Sequence, residues 1–169
     1  TDEQLARTGV TVAETDRGGD ITYHGPGQLV VYPILDLNAL NLNLHGYMRM
    51  LERIVIDVCA GFGVKTRCER GATGVWTGEP GADEGGAKIA ALGVRVRRWV
   101  TMHGLALNVT TNLDHFGLIV PCGLHGRAVT SLERELGARC PTIAQVKDAM
   151  REGFVGAANA SNLRCGAGD

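Results

Sequence analysis

The clearest periodic pattern of hydrophobic positions covers residues 44–62, where apolar side chains follow one another at intervals of one and three positions. Such intervals place the side chains along one stripe of an α-helix, and so they predict an amphipathic helix with one buried side. Gly61 and Gly63 provide its end, because glycine readily adopts the left-handed backbone that closes a helix. Cys59 lies on the apolar stripe, and we interpret it as a small core residue.

A period of two dominates residues 88–109 and predicts a β-hairpin that turns near residues 97–99. In its second arm the alternation places His103 and Leu105 on one face and Gly104 on the other. Pro33 lies inside another apolar run and favours an edge strand or a bulge, since proline has no amide hydrogen. The shorter apolar runs predict strands at residues 10–15, 21–23, 28–37, 64–67, 74–77 and 118–123.

Two capping boxes predict helices in the last third of the chain. Thr130 and Glu133 begin a short helix that Gly137 closes, whereas Thr142 and Gln145 begin a longer one. Strands, one helix, more strands and then helices follow one another along the chain. This order is typical of an α+β domain built on a mixed or antiparallel sheet. The inward residues of the longer helix are expected to be Ile143, Val146, Met150 and Phe154.

The chain has 169 residues, enough for one domain and too few for two ordinary ones, so we take residues 1–169 as a single domain. Hydrophobic residues make up 44% and charged residues 21%, which excludes a disordered chain. No apolar run reaches the roughly 20 residues of a membrane span, and a net charge of −1 argues against a basic nucleic-acid binder. The chain starts at Thr1 without methionine, from which we expect a shortened N-terminus, and residues 159–169 are expected to form a frayed tail.

The five cysteines indicate a reducing compartment. Their number is odd and no two of them have C-x-x-C spacing, so neither a disulfide framework nor a structural zinc site is expected. The N-terminus has no apolar signal core, and we therefore expect a cytoplasmic protein. The five histidines lack a metal-binding spacing such as H-E-x-x-H, and the sequence predicts no metal site.

Two residues stand where chemistry is favoured, although each also has an ordinary structural interpretation. Cys122 lies between Pro121 and Gly123 at the end of an apolar run, where a nucleophile is presented beside free backbone N–H groups. A packed cysteine at a strand end is the alternative. Lys88 opens the apolar run 88–93, and loss of hydration there lowers a lysine's pKa, so that the neutral amine can take a proton from a thiol. The alternative is a lysine whose stem covers apolar surface while its amine stays in water.

Glycine accounts for 24 residues and is concentrated in loops. Four glycines occur within residues 17–27, where they either let the backbone approach a bound group or form tight turns. No phosphate-binding motif such as G-x-x-x-x-G-K-[ST] is present. His103 suits either a ligand or base, or a hydrogen-bonded structural histidine. The basic cluster of Arg95, Arg97 and Arg98 either docks an acidic partner or is a solvated hairpin tip.

Taken together, three stretches of this sequence resemble the lipoyl(octanoyl) transferase family. They read RGGDITYHGPGQLVVYPILDL at residues 17–37, KIAALGVRVRRWVTMHGLALNV at 88–109 and IVPCGL at 119–124, in the order that the family has them. The resemblance covers most of residues 10–154 and implies an α/β fold related to those of biotin protein ligases and lipoate ligases. It also implies transfer of an octanoyl group from octanoyl-acyl carrier protein to a lysine on a lipoyl domain, with no cofactor.

The resemblance also assigns roles to residues. Cys122 is implied to be the nucleophile that carries the acyl group as a thioester, and Lys88 the residue that tunes its proton. The implied acceptors are the lipoyl domains of 2-oxoacid dehydrogenases and the glycine cleavage H protein, and we expect a monomer. The acidic, glycine-rich segment 78–86 departs from the family's pattern. The implied substrate-binding residues are Arg17, Gly18, Gly19, Asp20, Ile21, Thr22, Tyr23 and His24, then Ala91, Leu92 and Gly93, and finally Gly104, Leu105 and Ala106.

Three other functions compete with this interpretation. A lipoate or biotin ligase of the same fold would use ATP and would not need Cys122. A catalytically silent module would bind lipoyl domains or acyl carrier protein without forming an acyl adduct, and a cysteine hydrolase would release free fatty acid. Within the transferase interpretation, we expect Gly93 and Gly104 to make room for the acyl chain and the arginine cluster to dock the acidic carrier protein.

Overall fold

The computed structural model describes residues 8–79, 85–119 and 127–165, with side chains as far as residue 160. The strands in this part of the chain are β1 (Gln28–Val31), β2 (Thr66–Glu69), β3 (Ala72–Thr77), β4 (Lys88–Arg97) and β5 (Val100–Asn108). The helices with described bounds are α1 (Leu44–Gly61), α2 (Leu132–Leu136) and α3 (Ile143–Cys165). Short 3₁₀ turns lie at Leu113–Leu118 and Gly137–Arg139.

The strands form an antiparallel sheet in the order β1-β5-β4-β3-β2, which confirms the expected α+β class. β4 and β5 are the two arms of the predicted hairpin, and Arg97 pairs with Val100 at its end. The two residues between them, Arg98 and Trp99, have φ angles of 50° and 66°. Two left-handed residues in a two-residue loop match the right-handed twist of the flanking strands, so the turn closes the hairpin without splaying it.

Helix α1 matches the predicted amphipathic helix closely. Asn43 caps its N-terminus, because the Asn43 side-chain oxygen accepts a hydrogen bond from the amide of Gly46 at 2.7 Å. Along the apolar stripe Tyr47, Leu51 and Cys59 are fully buried. The interpretation of Cys59 as a core residue is therefore confirmed.

Helices α1 and α3 pack against each other and cover one face of the sheet, and the core fills the space between. Leu105 and Leu107 of β5 point into this core, as do Val146 and Met150 of α3. Ile143, which we expected to point inward, is instead 37% exposed in the first turn of α3. We call the side of the sheet that carries Leu105 and Leu107 the helix-covered face, and the other side the open face.

Several of the shorter predicted strands differ from the structure. Residues 10–15 and 21–23 have no regular structure, and the strand predicted at 64–67 lies at Thr66–Glu69. The strand predicted at 28–37 ends at Val31, and Pro33 follows soon after without an amide hydrogen for the ladder. Leu118 belongs to a 3₁₀ turn rather than to a strand, and the end of that predicted strand lies outside the described residues.

The cap of α2 lies one residue later than predicted. Ser131, not Thr130, accepts the hydrogen bond from the amide of Arg134, at 3.2 Å. For α3 the capping box is confirmed, since the side chains of Thr142 and Gln145 each accept a hydrogen bond from the other's amide.

Helix α3 continues as far as Cys165. Residues 159–165, which we expected to belong to a frayed tail, therefore have helical backbone, and residues 166–169 lie outside the described part. Among the helices that the structure describes, none combines the length and the apolar character that a membrane crossing requires.

Candidate active site

A cavity of about 800 Å³ lies along the middle of β4 and β5. Two directly opposed pairs of small residues form its floor, Ala91 with Ala106 and Gly93 with Gly104. These residues alternate with core residues along both strands, so they point to the open face. Leu105 also borders the cavity, although its side chain belongs to the helix-covered face. The hairpin thus brings together two of the three predicted substrate-binding stretches.

A wall of the cavity comes from the glycine-rich segment that precedes β1. Gly18 fastens this segment to β4, because its amide donates a hydrogen bond to the carbonyl oxygen of Val94 at 2.9 Å. Tyr23 is buried outside the lining, with its Oη 2.7 Å from Nδ1 of His115 and its ring edge-on to Phe116. The predicted substrate-binding residues that do line the cavity are Arg17, Gly18, Gly19, Asp20, Ile21, Thr22, His24, Ala91, Leu92, Gly93, Gly104, Leu105 and Ala106.

A chain of side-chain hydrogen bonds holds the end of the glycine-rich segment. Nδ1 of His24 lies 2.7 Å from Oε1 of Gln28. Nε2 of Gln28 donates to Oδ1 of Asn108 at 2.9 Å, and Nδ2 of Asn108 donates to the carbonyl oxygen of Thr130 at 2.9 Å. The segment is thereby tied to β1, to β5 and to the start of α2. Sequence reasoning missed Gln28 and Asn108, because nothing local marks two polar residues 80 positions apart as partners.

Lys88 reaches the cavity because a bulge interrupts the pairing of β3 with β4. Val75 pairs with Ala90, whereas Trp76 pairs with Lys88, so the residue between them on β4 has no partner. That residue, Ile89, is buried in the core, and so is Ala90. Two consecutive core residues turn Lys88 towards the open face, where its Nζ lies 4.6 Å from the centre of the Trp76 ring. This distance is within the range of a cation–π interaction.

Arg127 lies on the same indole ring. Its guanidinium carbon is 3.8 Å from the centre of the Trp76 ring, and its two Nη atoms lie 2.5 and 2.8 Å from the carboxylate oxygens of Glu69. The hydrogen bond from Arg127 is the largest cause that lowers the pKa of the buried Glu69 carboxyl. Neither residue stands out in the sequence, because Glu69 and Arg127 are 58 positions apart and belong to no motif.

Cys122 lies in the stretch 120–126, outside the described residues. The described residues on either side of that stretch, Ile119 and Arg127, both line the cavity. The role assigned to Cys122 therefore stays a prediction.

The described cysteines lie away from the cavity lining. Burial raises the pKa of the Cys59 thiol to about 12, and burial also raises the pKa values of Cys68 and Cys140. Thiols of this kind are poor nucleophiles at neutral pH, since the thiolate is the reactive form. Within the described ranges, no group of three histidine, cysteine or acidic side chains is placed to hold a metal ion.

Two glycines on the cavity floor are required by close backbone contacts. A Cβ on Gly93 would lie 2.9 Å from the carbonyl oxygen of Gly18. A Cβ on Gly104 would collide with the carbonyl oxygen of Val31 and lie 2.7 Å from Cδ of Pro33. The geometry therefore gives Gly93 and Gly104 a role in chain packing, beside the expected one of making room for a ligand.

The family model of the lipoyl protein ligase A/B catalytic domain matches residues 1–155. This chain belongs to that family. The match contains every residue of the predicted site, from the glycine-rich segment through Lys88 to Cys122.

Relatives within the family are similar over most of this chain. Octanoyltransferases of Myxococcus xanthus and Koribacter versatilis are 51% and 49% identical to it over 153 and 154 residues, in both cases 90% of this chain. The octanoyltransferase of Bacteroides fragilis is 52% identical over 147 residues, or 87% of this chain. The chain spans only part of each, namely 42%, 59% and 65% of their lengths.

Solved structures of ligases share the fold. Lipoate-protein ligase A bound with ATP has a TM-score of 0.71 and 18% identity, covering 93% of this chain and 62% of that one. The bipartite lipoate protein ligase of Thermoplasma acidophilum has a TM-score of 0.70 and 19% identity, and the match covers 93% of this chain and 61% of that one. Biotin protein ligase of Aquifex aeolicus gives 0.56 and 15%, covering 78% and 52%. The expected relation to lipoate and biotin ligases is thus confirmed for the fold.

Proposed function

We propose that this chain is the catalytic domain of an octanoyltransferase. It moves an octanoyl group from octanoyl-acyl carrier protein, through a thioester on Cys122, to a lysine of a lipoyl domain. The supporting observation is that Lys88, the small-residue floor and the glycine-rich segment border one cavity. Relatives at 49 to 52% identity that are named octanoyltransferase support the same acyl group.

The cavity suits an unbranched acyl chain. The alanine and glycine residues of its floor offer apolar surface without bulk, and Phe116 and Trp76 extend that surface. Burying about seven carbons at roughly 0.8 kcal/mol each contributes about 5 to 6 kcal/mol before losses. At about 0.8 kcal/mol for each methylene, this contribution favours a medium-length chain over a short one by about fourfold for each methylene.

In the first half-reaction, Sγ of Cys122 attacks the thioester carbonyl carbon of the carrier-bound octanoyl group. A C–S bond to Cys122 forms, and the C–S bond to the carrier breaks. Lys88, as the neutral amine, accepts the proton of the Cys122 thiol and returns it to the departing carrier thiolate. One thioester replaces another, so this step is close to thermoneutral and needs no nucleotide.

In the second half-reaction, the amine of the acceptor lysine attacks the thioester on Cys122. A C–N bond forms, the C–S bond breaks, and Lys88 relays a proton from the attacking amine to the sulfur of Cys122. The product is an amide, which is more stable than the thioester, so transfer runs towards the lipoyl domain. Lipoyl domains of 2-oxoacid dehydrogenases and the glycine cleavage H protein are the acceptors that we propose.

The surroundings of Lys88 favour a fixed amine. The Trp76 ring limits where Nζ can lie, and Arg127 packs against the same ring. Arg127 is held in turn by both carboxylate oxygens of Glu69. A proton carrier held in this way is placed for transfer at each turnover rather than searching for its position.

An ATP-dependent lipoate ligase is the second candidate, because lipoate-protein ligase A bound with ATP shares the fold at a TM-score of 0.71. Such an enzyme forms an acyl-adenylate and needs no thiol. The two candidates therefore differ in whether an acyl group becomes attached to Cys122.

Intact-protein mass spectrometry after mixing with octanoyl-acyl carrier protein separates the candidates. We expect one octanoyl increment on the wild-type chain and on Cys68→Ala, which changes a thiol away from the cavity lining, and none on Cys122→Ala. The proposal would be overturned if the folded wild-type chain gained no increment and octanoylated a lipoyl domain only when given free octanoate and ATP.

A further inference from the structure

Asp16 joins two strands of the sheet at the start of the glycine-rich segment. Its Oδ1 lies 2.9 Å from Nε2 of His103 on β5, and its Oδ2 forms an ion pair with Arg95 on β4. One carboxylate thus bridges two cationic or hydrogen-donating groups on adjacent strands. No motif in the sequence connects these three residues.

His103 is held in a strained backbone conformation. Its φ is 58°, in the left-handed region that residues with a Cβ rarely adopt within a strand. Regular alternation would place it beside Leu105 on the helix-covered face, as we predicted from the sequence. The structure contradicts that prediction, because the imidazole packs edge-on against the ring of Tyr32, an exposed residue of the open face, at 5.4 Å between ring centres. The strain turns the imidazole to the side where Asp16 lies.

Strain of this kind persists only where the surroundings fix the residue, and it is concentrated at ligand clamps and active sites. The imidazole is mostly covered, with 17% of its side chain exposed, whereas Asp16 is 54% exposed. A half-exposed ion pair by itself contributes little to folding. The ion pair therefore stabilises the fold too little to account for the strained backbone of His103, and the contact is better explained by the segment that it holds in place.

What it holds is one end of a cavity wall. Residues 17–22 follow Asp16 directly and line the cavity. At the other end, Tyr23 is anchored by its contact with His115. Between the two ends, the amide of Gly18 is bonded to Val94.

We propose that Asp16 and His103 are positioning residues that fasten the wall formed by residues 17–22 over the sheet, and that this contact sets the affinity for the acyl chain. Arg95 completes the contact by holding the second carboxylate oxygen. For its effect on affinity, the inference rests on the octanoyltransferase function proposed above. For its effect on the wall, it rests on the geometry alone.

The sharpest test is His103→Gly. Glycine adopts a φ of 58° without strain, so this variant is expected to be at least as stable as the wild type although it lacks the imidazole. We expect amide hydrogen exchange within residues 17–22 to accelerate about tenfold or more, because the wall loses one of its ends. The KM for octanoyl-acyl carrier protein should rise about tenfold while kcat changes less than about threefold.

Asn41→Gly is the matched control. Asn41 is also left-handed, with a φ of 51°, but it lies in the loop before α1 and does not line the cavity. This variant removes the same kind of strain and should leave both the exchange of residues 17–22 and the KM unchanged. Asp16→Asn should reproduce the effects of His103→Gly, and the double variant should be no worse than either single one, because both break one contact.

Wild-type exchange within residues 17–22 in both His103→Gly and Asp16→Asn would overturn the proposal. So would a clear loss of stability without faster exchange, which is what a purely structural pair would give. The exchange experiment uses the protein without substrate. It therefore still decides the inference if the chain transfers no octanoyl group, and failure of the proposed function is seen separately in the mass experiment.

Discussion

Core side chains of β5 on the helix-covered face follow the period of two, whereas Lys88 and His103 reach the open face through breaks in that period. Leu105 and Leu107 alternate regularly and are buried in the core. Lys88 arrives on the open face through a β-bulge, and His103 through a left-handed φ. Substitutions on the helix-covered face should therefore change stability, and those on the open face should change chemistry.

The largest effect is expected for Lys88→Ala. Loss of the proposed proton carrier should lower kcat/KM for octanoyl transfer by about 10² to 10⁴-fold, with little change in thermal unfolding. Lys88→Arg should be as inactive, because a guanidinium does not release its proton. Lys65→Ala is the matched control, since Lys65 is exposed and paired with Glu79 outside the cavity lining. A wild-type rate for Lys88→Arg in a steady-state assay would contradict the proposed role.

Leu107→Ala should show the opposite behaviour. The side chain is fully buried in the core, so its truncation should lower the free energy of unfolding by about 2 to 5 kcal/mol in urea titrations. The folded fraction should retain most of its transfer rate. Val30→Ala on neighbouring β1 is the control, because Val30 is 38% exposed and its truncation should cost less than about 1 kcal/mol. Equal losses in the two variants would remove the contrast between the faces.

The regular face is also the part of the fold that the sequence predicts well. The apolar stripe of α1, the hairpin over residues 88–109 and its turn near Arg98 and Trp99 all depend on local periodicity and turn chemistry, and the structure confirms them. The predicted faces fail at His103, because periodicity carries no information about a single left-handed residue. The bulge beside Ile89 is equally invisible in the pattern.

The site is predictable where a motif covers it and not where distant residues meet. The three matching stretches led to Lys88 and to the residues of the cavity floor, and the structure brings these together. The contact of Glu69 with Arg127 and that of Asp16 with His103 each join residues far apart in the chain. Their pairing depends on strand order and loop path, which a single sequence does not encode locally.

The contact between Glu69 and Arg127, which packs on the Trp76 ring, provides a pH-dependent prediction. The folded-state pKa of Glu69 is lowered, first by the hydrogen bond from Arg127, while an unfolded glutamate titrates near about 4.3. The stabilisation is therefore present above about pH 4.3 and is lost as the pH falls through the folded-state pKa. In urea unfolding at neutral pH and near pH 3.5, Glu69→Gln should be less stable than the wild type by about 1 to 3 kcal/mol at neutral pH, and this difference should become smaller as the pH falls below about 4.3.

Two controls bear on that result. Leu107→Ala should be destabilised equally at both pH values, because its side chain is buried in the hydrophobic core. Glu79→Gln should behave like the wild type, since Glu79 is exposed and its pair with Lys65 is screened by solvent. If the difference in the free energy of unfolding between Glu69→Gln and the wild type were the same at both pH values, packing and not the charge on Glu69 would cause it.

The smallest effect is expected at the hairpin end of the open face, where we propose that the carrier protein docks. Only part of the basic cluster expected from the sequence is available to a partner. Arg95 is paired with Asp16, whereas Arg97 and Arg98 are exposed at the hairpin turn. The double variant Arg97→Ala/Arg98→Ala should raise the KM for octanoyl-acyl carrier protein about three- to tenfold at about 0.05 M salt and hardly at all at about 0.3 M. Arg53→Ala, which removes an exposed arginine of α1 paired with Asp57, should change neither value. If the double variant kept both the wild-type KM and the wild-type salt dependence, the carrier would dock elsewhere. The open face would then bind the acyl chain but not the carrier protein.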